Sequence, residues 1–222
     1  MSATTPQVLN TSRNLQKHTN PNPLHRWLLG RFHRKIELLL QEALAELPRA
    51  PEHPGRSPLV LDAGCGEGFV ATYLAQRLPG LPLLGTDSRR EAVAFAKTQN
   101  PPSAGWMVGD VSSLPLKDES VPVVLCVEVL EHLDDPWAVL EELLRVCSGA
   151  LILSVPSQPF FALANLVRGK NLRTLGEDPE HVSHWTARTF LRLLNKRVKV
   201  TRVAYAFPWV IAVADPRKSV RV

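Results

Sequence analysis

The segment Leu59-Val60-Leu61-Asp62-Ala63-Gly64-Cys65-Gly66-Glu67-Gly68 constrains the fold more than any other part of the chain. A short apolar run leads straight into glycines at every second position. Phe69, Val70, Tyr73, Leu74 and Leu78 then recur at helical spacing. The pattern predicts a strand, a turn lacking side chains, and a helix. Backbone N–H groups in such a turn can approach a ligand closely, and the helix N-terminus favours negative charge. A glycine-rich connection without a ligand has the same local pattern, so the turn alone does not decide.

Two carboxylates further on sharpen the reading. Leu83 to Thr86 reads as a second strand and Asp87 ends it, about twenty residues past the glycines. Doubly wound folds place the acid that accepts ribose hydroxyls there. A third strand through Trp106, Met107 and Val108 is followed by Asp110 and Val111. Either aspartate alone is what a helix cap or turn looks like; together with the glycines they line one sheet edge. The spacing Gly64-x-Gly66-x-Gly68 departs from the G-x-G-x-x-G of nicotinamide sites.

With Asp62, Asp87 and Asp110, this turn resembles that of the class I S-adenosylmethionine-dependent methyltransferases, over roughly residues 55–214. The resemblance implies an α/β fold, a doubly wound, mostly parallel, seven-stranded Rossmann-like sheet. Its strand order would be 3-2-1-4-5-7-6, with the seventh strand antiparallel. It also implies that Asp62, Gly64, Gly66 and Gly68 receive the methionine end of S-adenosyl-L-methionine, Asp87 the ribose, and Asp110 with Val111 the adenine. Glu128, after the fourth strand, joins this cofactor-binding set.

The length of 222 residues suits one domain with an extension. Residues 1–22 are polar and read as a disordered tail, 23–58 as a helix and proline-rich linker, and 59–222 as the methyltransferase-like domain. The helix, Leu24 to Leu47, carries one apolar stripe. It suits a helix packed on the domain, a lid, or a membrane-surface helix. Ser88 is expected to cap a helix over Arg89–Thr98, and Asp134 or Asp135 one that starts at Pro136 and that Gly149 closes. Strands are expected at Val121–Val127 and Leu151–Val155. Residues 156–185 show no period. Thr186 is expected to cap a helix through Leu194, ahead of a hairpin of Val198–Ala206 and Trp209–Ala214.

The three cysteines lack C-x-x-C spacing, which argues for reduced thiols; Cys65 lies in the turn, where small size or reactivity explains it. The N-terminus has no apolar core for secretion, and no window is long enough for a membrane span. The expected location is cytoplasmic. The net charge is +5, with basic residues at Arg26, Arg31, Arg34 and Lys35 and again beyond Lys196. A solvated surface or an anionic partner accounts for these, so peripheral membrane contact stays open.

Methyl transfer needs an aligned acceptor and sometimes a base. Glu128-Val129-Leu130-Glu131-His132 follows the fourth strand and looks like the motif of small-molecule methyltransferases, the quinone-biosynthesis O-methyltransferases among them. His132 is the first candidate for general base and His181 the second. His181 and His184 are three apart and could face one pocket; Phe160, Phe161 and His184 are candidate substrate contacts. Capping, solvation and burial are the competing explanations. Glu128, Glu131, His132 and His181 also resemble the metal site of small-RNA 3′-terminal 2′-O-methyltransferases; carboxylate and imidazole can hold a divalent metal, which stays open here but is not the expectation. The expected function is O-methylation of a small-molecule or lipid-like acceptor. The alternatives are an RNA ribose 2′-O-methyltransferase using a divalent metal, which lacks a recognisable RNA-binding domain, and a non-catalytic binding module.

Overall fold

The computed structural model describes residues 12–48, 57–99, 104–162 and 182–219. In chain order its elements are α1 (Arg13–His18), α2 (Pro23–Glu46), β1 (Val60–Ala63), α3 (Phe69–Arg77), β2 (Leu83–Asp87), α4 (Arg90–Gln99) and β3 (Ala104–Val108). They continue with β4 (Val121–Val127), a 3-10 turn (Leu130–His132), α5 (Pro136–Val146), β5 (Cys147–Pro156), α6 (Ala187–Asn195), β6 (Val198–Ala206) and β7 (Trp209–Ser219).

The strands form one seven-stranded sheet in the order β3-β2-β1-β4-β5-β7-β6. Strands β1 to β5 run parallel; β7 lies antiparallel to both β5 and β6. The expected order is thus the observed one. Central β4 is apolar throughout because helices cover both of its faces. On one face α2 and α3 pack through Leu28, Phe32, Ile36, Leu40 and Leu74 onto Val60, Val123, Leu125 and Ile152. Helix α4 joins them through Phe95, 6.3 Å from Phe69. On the other face α5 and α6 pack through Leu140, Leu143, Phe190 and Leu194 onto Leu61, Val124, Leu151 and Val210.

Local chemistry sets the helix starts. Asp135 accepts the N–H groups of Trp137 and Ala138 at 3.0 and 3.1 Å ahead of Pro136. Thr186 and Thr189 form a reciprocal capping box at α6. Two expectations need correction. Helix α4 begins at Arg90, and the Arg89 N–H is taken by the Asp87 carboxylate at 2.9 Å. Gly149 does not close α5; the chain passes from Val146 directly into β5, and Gly149 lies within that strand. A Cβ there would sit 2.5 Å from the Pro122 carbonyl oxygen and run into Leu47, so this glycine admits close packing.

Helix α2 is a core layer of the domain, not a lid. The place above the crevice goes to α1, formed by residues 13–18 of the segment expected to be a disordered tail. Residues 1–11 of that tail and 49–56 of the expected linker lie outside the described residues. Among the described residues, no helix is long and apolar enough to cross a membrane.

Candidate active site

The glycine turn joins β1 to α3 at the C-terminal edge of the sheet, where open α/β sheets bind ligands. Gly64, Gly66 and Gly68 adopt φ of +76°, +54° and +77°, which glycine alone adopts without strain. Their N–H groups are spent inside the protein. Gly64 donates to the Thr86 carbonyl at 2.8 Å, Gly66 to Asp87 Oδ2 at 2.8 Å, and Gly68 to the Cys65 carbonyl at 2.9 Å. These three glycines therefore do not present the free backbone donors expected of them. Side chains at Gly64 and Gly68 would collide with Val129 and Trp106, which makes those glycines packing requirements. A Cβ at Gly66 would point outward, toward Asn14 of α1.

What surrounds the turn is acceptor-rich. Asp62, Glu67, Asp87 and Glu128 stand around it, and the first three are buried. Asp62 Oδ2 and Glu128 Oε1 are buried without a hydrogen-bond partner among the described residues. Burial, then the charge of Asp87, pushes the Asp62 carboxyl up to about 7, against the Ala71 N–H that favours its ionised form. Glu128 follows β4 with a φ of +59°, a conformation that costs a non-glycine residue roughly 1–3 kcal/mol and is found at functional sites. Such a ring of acceptors suits a cationic ligand and disfavours an anionic one.

Asp87 and Asp110 lie on the same sheet edge as Gly66. Asp87 ends β2 and meets the turn directly. Asp110 lies two residues beyond β3, exposed, with its carboxylate accepting the Ser112 N–H and hydroxyl at 2.8 Å each. These bonds hold its carboxyl below the usual aspartate range. Val111 beside it is buried. Cys65 is buried in the turn, and burial with the nearby Asp62 and Asp87 charges pushes its thiol far up; its role there is packing.

Helix α1 closes over this ring, and sequence reasoning missed it. Ser12 Oγ donates to Glu67 Oε1 at 2.6 Å, Asn14 Nδ2 donates to Glu67 Oε2, and Lys17 Nζ pairs with Glu128 Oε2. Lys17 also lies 5.4 Å from the centre of the Trp209 ring. His18 seats the helix by stacking on Phe69 at 4.1 Å, and His25 of α2 bonds the Lys17 carbonyl at 2.7 Å. Arg89 reaches Glu67 and Asp87 at 3.4 Å. A six-residue helix carries no period to read; Glu67 in the glycine turn and Arg89 after Asp87 were the available signals.

His132 follows Glu128 by four residues, at the end of the 3-10 turn beyond β4. The Glu131 carbonyl accepts the N–H groups of Val182 and Ser183 at 2.9 and 3.0 Å, which joins the two histidine-bearing segments through the backbone. His132 and His184 are exposed; His181 lies outside the described residues. Phe160 is half exposed, 6.1 Å from Phe207, and Phe161 is half-buried. Of the metal set, His181 lies outside the described residues, and among the described residues no three His, Cys, Asp or Glu side chains are grouped to hold an ion. The 3-10 turn splays its members. Glu128 turns to Lys17, Glu131 is buried and His132 faces outward.

Residues 61–152 match the family model described as a methyltransferase domain. A Mycobacterium tuberculosis protein described as a probable S-adenosylmethionine-dependent methyltransferase is 36% identical over 105 residues, which are 46% of this chain and 37% of its own length. Ajmaline N-methyltransferase of Rauvolfia serpentina is 32% identical over 133 residues, 56% of this chain and 45% of its own. The chain thus spans less than half the length of these curated relatives. Among solved structures, the magnesium protoporphyrin IX methyltransferase of Synechocystis, with bound SAH, shares 20% identity over 91% of each chain at a TM-score of 0.64. The mixed seven-stranded sheet built on this glycine turn is the Rossmann-like fold of S-adenosylmethionine-dependent methyltransferases.

Proposed function

We propose that this chain moves a methyl group from S-adenosylmethionine to an oxygen of a small-molecule or lipid-like acceptor. The observation that carries the reading is the ring of acceptors around Gly66, with Asp87 bonded to its N–H and Asp62 and Glu128 each holding a buried oxygen unpartnered among the described residues. A sulfonium cofactor with an α-ammonium is cationic where it meets such a turn, so the carboxylates and carbonyls there fit it. A dinucleotide pyrophosphate would be served by glycine N–H groups, which here are already bonded inside the protein.

The cofactor supplies a methyl group activated by positive charge. The chain's own residues bind and align. With the cofactor bound, Asp87 would accept the ribose hydroxyls, Asp110 and Val111 would border the adenine, and Asp62 and Glu128 would hold the ammonium end. His132 takes the acceptor's proton, and Phe160, Phe161 and His184 border the acceptor. Alignment accounts for on the order of 7–11 kcal/mol in well-oriented reactions, and a base for about 10²–10⁴-fold. The relatives include a protein named as an N-methyltransferase, which keeps nitrogen as the second acceptor atom.

Calorimetry with S-adenosylmethionine and its demethylated product tests this directly. The wild-type chain should bind both, and Asp87→Ala should lose at least tenfold in affinity while staying folded, because charge-assisted bonds are the strong ones. His132→Ala should keep cofactor affinity and lose turnover. No binding by the folded wild type would leave a non-catalytic module of the same fold.

A further inference from the structure

The outward face of α2 does nothing for the core, and its composition is unlike that of a solvated helix. The buried stripe comprises His25, Leu28, Leu29, Phe32, His33, Ile36, Glu37, Leu39, Leu40 and Ala43. By helical periodicity the opposite face carries Leu24, Trp27, Arg31, Arg34, Lys35 and Leu38. Trp27 is 55% exposed and Leu24 is 47% exposed. The Arg31 guanidinium lies 4.8 Å from the Trp27 ring centre, so cation and aromatic ring share one patch. Arg34 pairs with Glu37, whereas Arg26, Arg31 and Lys35 have no carboxylate partner among the described residues.

Charge is segregated along this helix against its own dipole. Arg26, Arg31, Arg34 and Lys35 all precede the acids Glu37, Glu42 and Glu46, of which the last two pair with Arg202. The first turn has no acid and the last turn no base. A helix stabilised by its own charges would have the reverse order. Helix stability therefore does not explain the basic end, and core packing does not explain an exposed tryptophan.

Position adds a third observation. The N-terminal half of α2 lies at the C-terminal edge of the sheet, where His25 bonds α1 over the crevice and Phe32 stacks on Trp209 at 4.6 Å. Pro156, which ends β5, pairs with Trp209, so the β6–β7 turn lies at that same edge. Phe160, Tyr205 and Phe207, on or beside that turn, are exposed large apolar side chains. Tryptophan and leucine ringed by arginine and lysine have the composition of a surface that rests in the headgroup layer of an anionic bilayer.

We propose that this chain docks on anionic phospholipid surfaces through the N-terminal half of α2, with the crevice mouth toward the bilayer. Charge complementarity selects the occupant: unpaired cations attract anionic headgroups, and Leu24 and Trp27 enter the interface between them. The docking does not depend on methyl transfer, so it is tested without turnover.

The experiment is sedimentation of the full chain with vesicles of phosphatidylcholine alone and of phosphatidylcholine and phosphatidylglycerol in equal parts. Binding should be confined to the anionic vesicles and weaken with added salt. Each charge removed in Arg31→Gln with Lys35→Gln should lower it about fivefold. Trp27→Ala should lower it and remove the blue shift of tryptophan emission. Arg188→Gln with Arg192→Gln takes as many charges from α6, on the other face of the sheet, and should change binding little. Equal binding to neutral vesicles overturns the proposal, as does no binding, or equal losses from the α2 and α6 variants. Retention of single-stranded RNA by a chain that ignores both vesicles would assign the basic face to a nucleic acid and overturn it too. Unchanged melting temperatures of the variants keep the comparison clean.

Discussion

Asp62 illustrates how a single side chain carries both stability and ligand preference. It is buried, one oxygen lacks a partner among the described residues, and its carboxyl is pushed up to about 7. A carboxyl raised above its unfolded value binds protons more tightly in the folded state. Folding stability therefore falls as pH rises from about 4 toward 7. A cationic ligand beside Asp62 favours the ionised form and reverses the penalty. Cofactor affinity should accordingly rise with pH through about 7, with proton release on binding. Asp62→Asn should flatten that rise and stabilise the free protein at neutral pH, checked by calorimetry in buffers of different ionisation enthalpy and by urea melts. Asp62 and Asp87 were legible in the sequence because each ends an apolar run. The unpartnered oxygen was not legible, because it depends on what residues distant in the chain, Asp87 among them, bring near it.

Helix α1 is the element whose role depends most on tertiary contact. Six residues cannot hold a helix alone; it is held by Glu67, Glu128, Phe69 and His25. Burial, then the Lys17 charge, pushes His18 down to about 2 and His33 to about 4. A histidine lowered below its unfolded value near 6.5 stabilises docking above that pH, and the contribution is lost as pH falls through the window down to the folded value. A dye on Thr19→Cys, selective because the three native cysteines are buried, should lose anisotropy as pH drops below about 6.5. Lys17 holds Glu128 in the way that a cofactor ammonium would. Lys17→Ala should therefore speed cofactor association in stopped flow and tighten binding; unchanged rates would show that the pair does not obstruct entry. The long helix was readable from its stripe, and its start at Asn22-Pro23 from its cap. Its use as a core layer was decided by Phe32 meeting Trp209 from the far end of the chain.

Across the whole molecule, α2 is joined to the sheet by apolar burial and not by its ion pairs. Phe32, buried and stacked on Trp209, should cost roughly 3–5 kcal/mol on truncation to alanine. Arg202→Ala, which removes the bridges to Glu42 and Glu46 at the sheet edge, should cost about 0–1 kcal/mol. Urea denaturation separates the two: the midpoint should move far for Phe32→Ala and little for Arg202→Ala, with the slope retained in both. If the two variants were equally stable, α2 would be attached at its charged end instead. The alternation of strands and helices made a mostly parallel, doubly wound sheet legible; the strand order itself came only from the resemblance carried by the glycine turn and its aspartates. Residues 156–185 were not legible because they show no period, and part of that span lies outside the described residues.

The primary structure determined, through periodicity and glycine spacing, that a parallel doubly wound sheet would form and that acids would end its first strands. Those are local properties: a strand's faces and a turn's φ angles depend on neighbours in the chain. The tertiary structure alone decided that the glycine N–H groups are consumed internally, that Asp62 and Glu128 each keep a buried oxygen unpartnered among the described residues, and that a short helix from the polar N-terminal segment lies on the crevice. Each of those depends on residues from distant positions meeting in a low-dielectric edge, where an unpartnered polar atom is costly enough to define a site.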